Sequence, residues 1–469
     1  MGTLVMKFGG TSVGSAQAIT LAADLVHREA PKWQHIVVIV SAMRGVTDAL
    51  IQGAVTAAHG DDHTYRGIVA DLRVRHTLAV AELLSDAGAR TSLLVTIEGY
   101  LDEFASFCRS IHVLGEVTPR AMDTISSLGE RMNARVVAAM LQEAGLPARA
   151  VDATDVIVTD QRFQQATPLM DATRERVGEF LVPLLQQGIL PVITGFIGAT
   201  RDGVTTTLGR GGSDYSASIL GAALDADEVW TWTDVDGVLT ADPRIVPEAR
   251  VIPELSYAEV GELAYFGAKV LHPKTIHPVV EHNIPLWVKN TFNPTCPGTR
   301  IVSDPIGTRG TVKAVTAITG LSMVTVDGRG MMGVPGIAAR TFAAVASQGA
   351  SVLMISQASS EQSICFVIPT ADVNAVVAAL EEELALEITR RDIDRVWSMS
   401  DIVIVSAVGA GLRGTPGVAA ALFNALAAQA INIVAIAQGS SDCSISLVVN
   451  ADQATQAVRQ IHEKVINHG

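Results

Sequence analysis

205-TTTLGRGGSD-214 sets three hydroxyls, a glycine-framed Arg210, Ser213 and Asp214 between two apolar segments. The upstream stretch 190-LPVITGFIG-198 reads as one buried strand, and residues 215–224 read as an Ala/Ile/Leu-rich helix. A glycine turn between strand and helix presents backbone N–H groups at a helix N-terminus, where anions bind. Arg210 adds a planar fork suited to a carboxylate. Taken alone, such a turn also reads as structural, with Ser213 or Asp214 as an ordinary N-cap. The density of functional groups favours a site.

Three further segments join it. In 4-LVMKFGGTSVGS-15 a strand ends at Lys7 beside Gly9 and Gly10, so the backbone and a lysine can approach phosphate oxygens together. In 36-IVVIVSAMRGVTDAL-50 an apolar strand runs into Ser41 and Thr47, and in 228-EVWTWTDVDGVLTADPR-244 a strand precedes Thr233, Asp234 and Arg244. Strand-like and helix-like segments alternate from residue 3 to about 290, the pattern of an open, mainly parallel α/β sheet with helices on both faces. Ligands bind such sheets beyond the carboxyl ends of the strands. All four polar clusters fall there. Residues from about 60 to 145 read as a helical insertion, and 293-NPTCPGTRIVSDPIGTRG-310 ends the first domain at about residue 302.

Beyond it the chain repeats itself. Residues 328–368 match 409–449 without a gap at a constant offset of 81, carrying Pro335 onto Pro416, Phe342 onto Phe423 and Gln357 onto Gln438. Each copy reads as a ferredoxin-like βαββαβ unit, over 316–392 and 400–469. Each also holds a G-x-G-x-x-G, but neither following strand ends in the acidic residue a dinucleotide site requires. No P-loop motif occurs.

Composition narrows the class. The chain of 469 residues is 48% hydrophobic and 17% charged, enough for several packed cores. A net charge of −14 disfavours nucleic acid as a partner. Four scattered cysteines form no disulfide framework or zinc pattern, and His272, His277 and His282 stand among prolines that break a helix, so no metal ligands are expected of the protein. The uncharged stretch 414–441 contains Pro and Asn residues and reads as a buried helix and strand rather than a membrane span. The N-terminus enters the KFGG strand directly, which with reduced thiols suggests the cytoplasm.

KFGGTSV (7–13), SAMRGVTD (41–48), GERMNA (129–134), TTTLGRGGSDYSA (205–217), WTDVDGVLTADPR (232–244) and GAKVLHP (267–273) together resemble aspartate kinase, of the amino acid kinase superfamily with tandem ACT domains. The resemblance covers almost the whole chain and is nearest to the kinase part of threonine-sensitive bifunctional aspartokinase–homoserine dehydrogenases. It implies transfer of the γ-phosphoryl group of ATP, with Mg²⁺, to the β-carboxylate of L-aspartate. It puts Lys7, Gly9, Gly10, Asp214 and Lys269 at the chemistry. Arg210 would hold the α-carboxylate, and Glu130 with Asp214 the α-ammonium, in a pocket completed by Ser41, Thr47, Phe196 and Ser213. Taken alone, Glu130 reads as a first-turn helix acid. Thr233, Asp234, Arg244, Lys7, Gly10 and Lys269 would contact the nucleotide. Leu239 stands where the family often has Tyr.

The ACT-like repeats imply feedback by an amino acid at Gln357 and Gln438, whose amides both donate and accept. Leu353 replaces an Asp found in lysine-sensitive relatives, which favours threonine. ACT modules pair across subunits, so a homodimer or higher oligomer is expected. Relatives of this branch continue into a dehydrogenase, whereas Gly469 follows the second repeat, leaving a monofunctional enzyme or a fragment. Another amino acid carboxylate kinase, or a non-catalytic amino-acid sensor, are the rival readings.

Overall fold

Continuous apolar runs become strands buried on both faces, as parallel sheets require. The computed structural model describes residues 2–267, 271–305, 309–331, 334–357, 362–439 and 441–467. The chain forms two units, one of residues 1–238, 251–257 and 270–305, the other of 239–250, 258–269 and 306–469.

The first unit is built on an eight-stranded sheet. In chain order its strands are β1 (Thr3–Phe8), β2 (His35–Val40), β3 (Ala148–Val151), β5 (Leu190–Thr194), β8 (Glu228–Thr233), β9 (Glu254–Ser256), β10 (Leu286–Asn290) and β11 (Thr299–Val302). A small separate sheet joins β4 (Val158–Thr159), β6 (Ile197–Thr200) and β7 (Thr205–Thr207). The large sheet runs β3-β5-β2-β1-β8-β10-β11-β9, parallel except where β10 meets β11. Lys7 sits centrally, in register with Ile39 on β2 and Thr231 on β8. Helices cover the strands: α1 (Ala16–Glu29), α2 (Val46–Ala58), α3 (Thr64–Leu83), α4 (Ala87–Leu114), α5 (Pro119–Glu143), α6 (Met170–Arg176), α7 (Val182–Gln186) and α8 (Gly212–Ala223). One core joins Leu4, Met6 and Phe8 of β1 to Leu128 and Met132 of α5 and Phe104 of α4.

Two local expectations fail here. The stretch 190–198 is not one strand: it breaks into β5 and β6 at Phe196, which has φ +69°. A Cβ on Gly195 would stand 2.7 Å from Ser213, so the chain turns sharply where α8 packs against it. The prolines near residue 278 do not break the helix either. Among the elements after α9 (Tyr257–Tyr265), α10 (Pro273–Glu281) starts with Pro273 in its first turn and continues through the buried Pro278. His272 caps it, its ring accepting the Lys274 N–H.

The second unit carries one antiparallel sheet of β12 (Ala314–Asp327), β13 (Met354–Gln357), β14 (Ser363–Pro369), β15 (Arg395–Val408), β16 (Ala435–Ala437) and β17 (Ser444–Asn450), in the order β13-β14-β12-β15-β17-β16. Its helices are α11 (Ile337–Ser347), α12 (Val373–Glu383), α13 (Ala385–Arg390), α14 (Val418–Ala427) and α15 (Ala451–Ile461). The repeat offset maps β12 onto β15. The two pair antiparallel from Ala314↔Val408 to Asp327↔Arg395, with a register shift near Leu321, which makes the repeats a two-fold pair about the strands' middle. The first half of β12 backs the second repeat, Val315 packing with Val405 and Leu447. The second half, Val324 and Val326, packs with Val345 and Val376 of the first. Each copy thus supplies five elements of its own βαββαβ unit and takes the sixth from the long strand of the other.

Candidate active site

β1 delivers Lys7 to the carboxyl edge of the sheet almost wholly buried, 2.6 Å from the Asp214 carboxylate. The next residues turn because Gly9 and Gly10 allow it. The Gly9 N–H donates to the Trp232 carbonyl, and the Gly10 carbonyl accepts the Arg44 N–H. A Cβ on Gly10 would stand 3.1 Å from the Ala42 carbonyl, so the β1 and β2 loops touch through bare backbone. Ser41 follows β2, held by the Asn133 side-chain amide on its carbonyl at 2.6 Å. Thr47 lies in the first turn of α2.

On the far side of β5, Gly209 (φ +79°) and Gly211 (φ +70°) frame Arg210 and start α8, whose first turn carries Ser213 and Asp214. Phe196 is pinned by its N–H to Ser216 Oγ, and a Cβ on Gly212 would stand 2.6 Å from its ring. Arg210 is exposed and has no carboxylate partner among the described residues.

These loops enclose a cavity of about 670 Å³ lined by Lys7, Gly10, Ser41, Thr47, Glu130, Phe196, Arg210, Ser213 and Asp214. Glu130 is not a first-turn acid, as its local sequence suggested. It sits in the middle of α5, 3% exposed, and its Oε2 has no partner among the described residues. Burial pushes its carboxyl up to about 8, against the pull of backbone N–H bonds from Ala42 and from Glu130 itself. A buried, unsatisfied acceptor facing a cavity fits a cationic ligand group.

The remaining expected positions divide. Gly9 stands beside the cavity, and a Cβ there would lie 3.5 Å from Lys7 Nζ. Thr233 donates to Asp234, and Asp234 borders a second cavity of about 330 Å³ with Thr11, Ser15, Arg44 and Arg75; Arg44 lines both cavities. Arg244 lies in the second unit, 86% exposed and closed onto Asp242 at 2.6 Å, and lines neither cavity. Lys269 lies outside the described residues. In the second unit Gln357 ends β13 and borders a cavity of about 340 Å³ with Pro335, Gly336 and Ile337. Gln438 follows β16 and is exposed. Asp214 pairs with Lys7 rather than standing free for an ammonium group. Sequence reasoning missed Asp123 and Arg44, both lining the larger cavity. The signal available for Asp123 was its place seven residues before Glu130, on the same face of a helix.

Among the described residues no cluster of three metal-binding side chains occurs, and no helix is long and apolar enough to cross a membrane.

Residues 2–290 match the amino acid kinase family, and residues 324–384 and 405–465 match an ACT domain. The chain is 37% identical over 465 residues to the chloroplastic bifunctional aspartokinase/homoserine dehydrogenase 1 of Zea mays, covering 98% of this chain and 50% of that protein. It is 32% identical over 481 residues to aspartokinase 3, chloroplastic, of Arabidopsis thaliana, covering 98% and 81%. The crystal structure of E. coli aspartokinase III in complex with aspartate and ADP (R-state) superposes with a TM-score of 0.79 at 30% identity, covering 99% of each chain. The same protein in complex with lysine and aspartate (T-state) gives 0.80 at the same identity and coverage. The chain spans about half the length of the bifunctional relatives it matches. With its central lysine, glycine turns and paired ACT matches in one chain, the protein belongs to the amino acid kinase family and has the fold of the aspartokinases.

Proposed function

We propose that this chain phosphorylates the β-carboxylate of L-aspartate with ATP, giving 4-phospho-L-aspartate. The carrying observation is the cavity in which the buried Glu130 carboxyl, with its Oε2 unpartnered among the described residues, the free Arg210 guanidinium and Lys7 all take part. An amino acid needs an anion for its ammonium group and a planar cation for its α-carboxylate. Glu130 and Arg210 supply these. The β-carboxylate is then left for Lys7 and the α8 N-terminus. E. coli aspartokinase III, a full-length structural match, holds aspartate and ADP.

The acceptor carboxylate is ionised at neutral pH, so no general base is needed. What the site must supply is alignment and positive charge at the phosphoryl oxygens. Lys7 starts paired with Asp214 and exchanges that partner for a phosphoryl oxygen. The first turn of α8 opens onto the cavity through Gly212 and Ser213, adding N–H groups that need no reorganisation. The bare backbone at Gly10 fits a polyphosphate, since a side chain there would fill the approach. Bound Mg-ATP supplies the phosphoryl group and divalent charge to screen its oxygens. Lys7, Gly10, Thr233 and Asp234 would hold it, with Lys269 and Arg244 assigned to it by resemblance alone.

We take residues 1–302 as the catalytic domain and 316–392 and 400–469 as regulatory repeats. In the cytoplasm, as a homodimer or larger assembly, these would bind an inhibitory amino acid, threonine, through Gln357 and Gln438. The lysine complex of E. coli aspartokinase III supports an amino acid effector in this fold. Leu353 in this chain argues for the less basic ligand.

The test traps acyl phosphate with hydroxylamine in the presence of Mg-ATP and aspartate, glutamate, or no acceptor. Aspartyl hydroxamate alone is the expected product. Glutamyl hydroxamate in preference would assign another carboxylate kinase, and none at all would leave an amino-acid sensor.

A further inference from the structure

We infer that Asp123 is a positioning residue that sets the span between the two groups gripping the amino acid acceptor. The inference rests on Glu130 and Arg210 having the roles proposed above. Asp123 lies in α5 and is 1% exposed. Its carboxylate accepts from the Thr207 hydroxyl at 2.8 Å, the Thr207 N–H at 2.9 Å and the Gln164 N–H at 2.9 Å. Thr207 ends β7, three residues before Arg210. Gln164 holds φ +69°, a backbone state that a side-chain-bearing residue keeps only when its surroundings enforce it. The bare face of Gly209 lies against the Gln164 carbonyl, where a Cβ would come within 3.1 Å. One carboxylate therefore ties the Gln164 turn and the start of the Arg210 turn to α5.

The same helix carries Glu130 two turns on, about 10 Å along the axis. Seven residues return a helix to nearly the same face, and both carboxylates line the same cavity. Glu130 and Arg210 sit on different elements, and Asp123 ties one to the other through two bonds to Thr207, beside a longer Arg131–Thr205 contact at 3.5 Å. A zwitterion held at both ends responds to that span, because a small misplacement of one grip costs binding without removing a contact. Both gripped groups sit on the α-carbon, so the span governs affinity for the amino acid end of the acceptor.

The test is Asp123→Asn in the full chain. The amide keeps the volume but replaces one accepting oxygen with an N–H₂ group, which cannot accept from the donors facing it. KM for aspartate should rise about tenfold or more, with KM for Mg-ATP within about twofold. Thr207→Val removes one donor and should move aspartate KM the same way by about threefold. The double variant should change less than the two effects combined, because both act through one contact. Calorimetric titration with aspartate, without nucleotide, reads the same loss independently of turnover. Unchanged aspartate affinity, or equal rises in both KM values, would overturn the inference. If unaltered protein makes no aspartyl hydroxamate, the functional reading fails instead.

Discussion

Lys7 meets Asp214 at 2.6 Å in the first unit, and Lys313 meets Glu259 at 3.0 Å in the second. Both lysines are nearly buried, at 8% and 7% exposure of the side chain, but their partners differ. Glu259 is fully enclosed and accepts the Ala410 N–H at 2.7 Å as well. Asp214 is 22% exposed and lines a cavity large enough for a substrate. A buried ion pair with every side occupied joins elements of a fold. One open on a cavity can trade its partner for a ligand. Under the proposed function, the same two charges serve packing in one unit and chemistry in the other.

The sharpest way to break that contrast is to remove each lysine. Lys313→Ala strands the Glu259 charge in the interior and should cost about 3–5 kcal/mol of stability. Lys7→Ala leaves Asp214 facing the cavity, where solvent can enter, and should cost less. Denaturant unfolding of the two variants measures this. Equal losses would mean that both pairs are structural.

Turnover should reverse the order. Lys7→Ala is expected to lower kcat about 100- to 1,000-fold while changing either KM little, because its charge is needed most as the phosphoryl group transfers. Near-normal turnover would remove Lys7 from the chemistry.

Glu130 extends the comparison to a buried acid with no ion-pair partner among the described residues. Its carboxyl is raised to about 8, so the folded protein keeps a proton that the unfolded chain releases in the ordinary carboxylate range. Stability from this group is therefore full below that range and is lost as pH rises toward 8. Glu130→Gln stays neutral throughout. Its melting temperature should gain on the parent across that window, while its KM for aspartate rises about tenfold. In the parent, aspartate KM should fall as pH approaches 8, since only the carboxylate pairs with an ammonium group; in the variant that pH dependence should vanish. A variant less stable at every pH would show that Glu130 is satisfied after all.

What was legible in the sequence follows the same division. Arg210, Ser213 and Asp214 stand within five residues of one another in a glycine turn, so spacing alone suggested a shared site. The repeats were visible because their offset never slips. Beyond its spacing from Glu130, Asp123 carries no local mark, because its meaning lies in Thr207, 84 residues away. Glu130 was misplaced locally because α5 begins eleven residues earlier than its polar surroundings suggest. The shared sixth strands escaped notice because an extended strand has the same local pattern whichever partner it meets; only the β12–β15 register reveals the exchange.

The smallest effects are expected in the regulatory repeats, where the two-fold relation supplies an internal control. Gln357 and Gln438 are equivalent by sequence and both are exposed, and Gln357 borders a cavity of about 340 Å³. An effector acts only through a difference in affinity between active and inactive states. Aspartate should therefore weaken threonine binding by the factor by which threonine weakens aspartate binding. One amide hydrogen bond to the effector is worth about 0.5–1.5 kcal/mol, so Gln357→Ala should raise the half-inhibitory threonine concentration by about two- to tenfold, and Gln438→Ala by less. Titrating threonine against kinase turnover in both variants measures the gap. Equal shifts would mean that the repeats bind alike despite their different surroundings. Inhibition by lysine and not threonine would move the specificity away from Leu353. An undiminished response in both variants would place the effector elsewhere in the second unit.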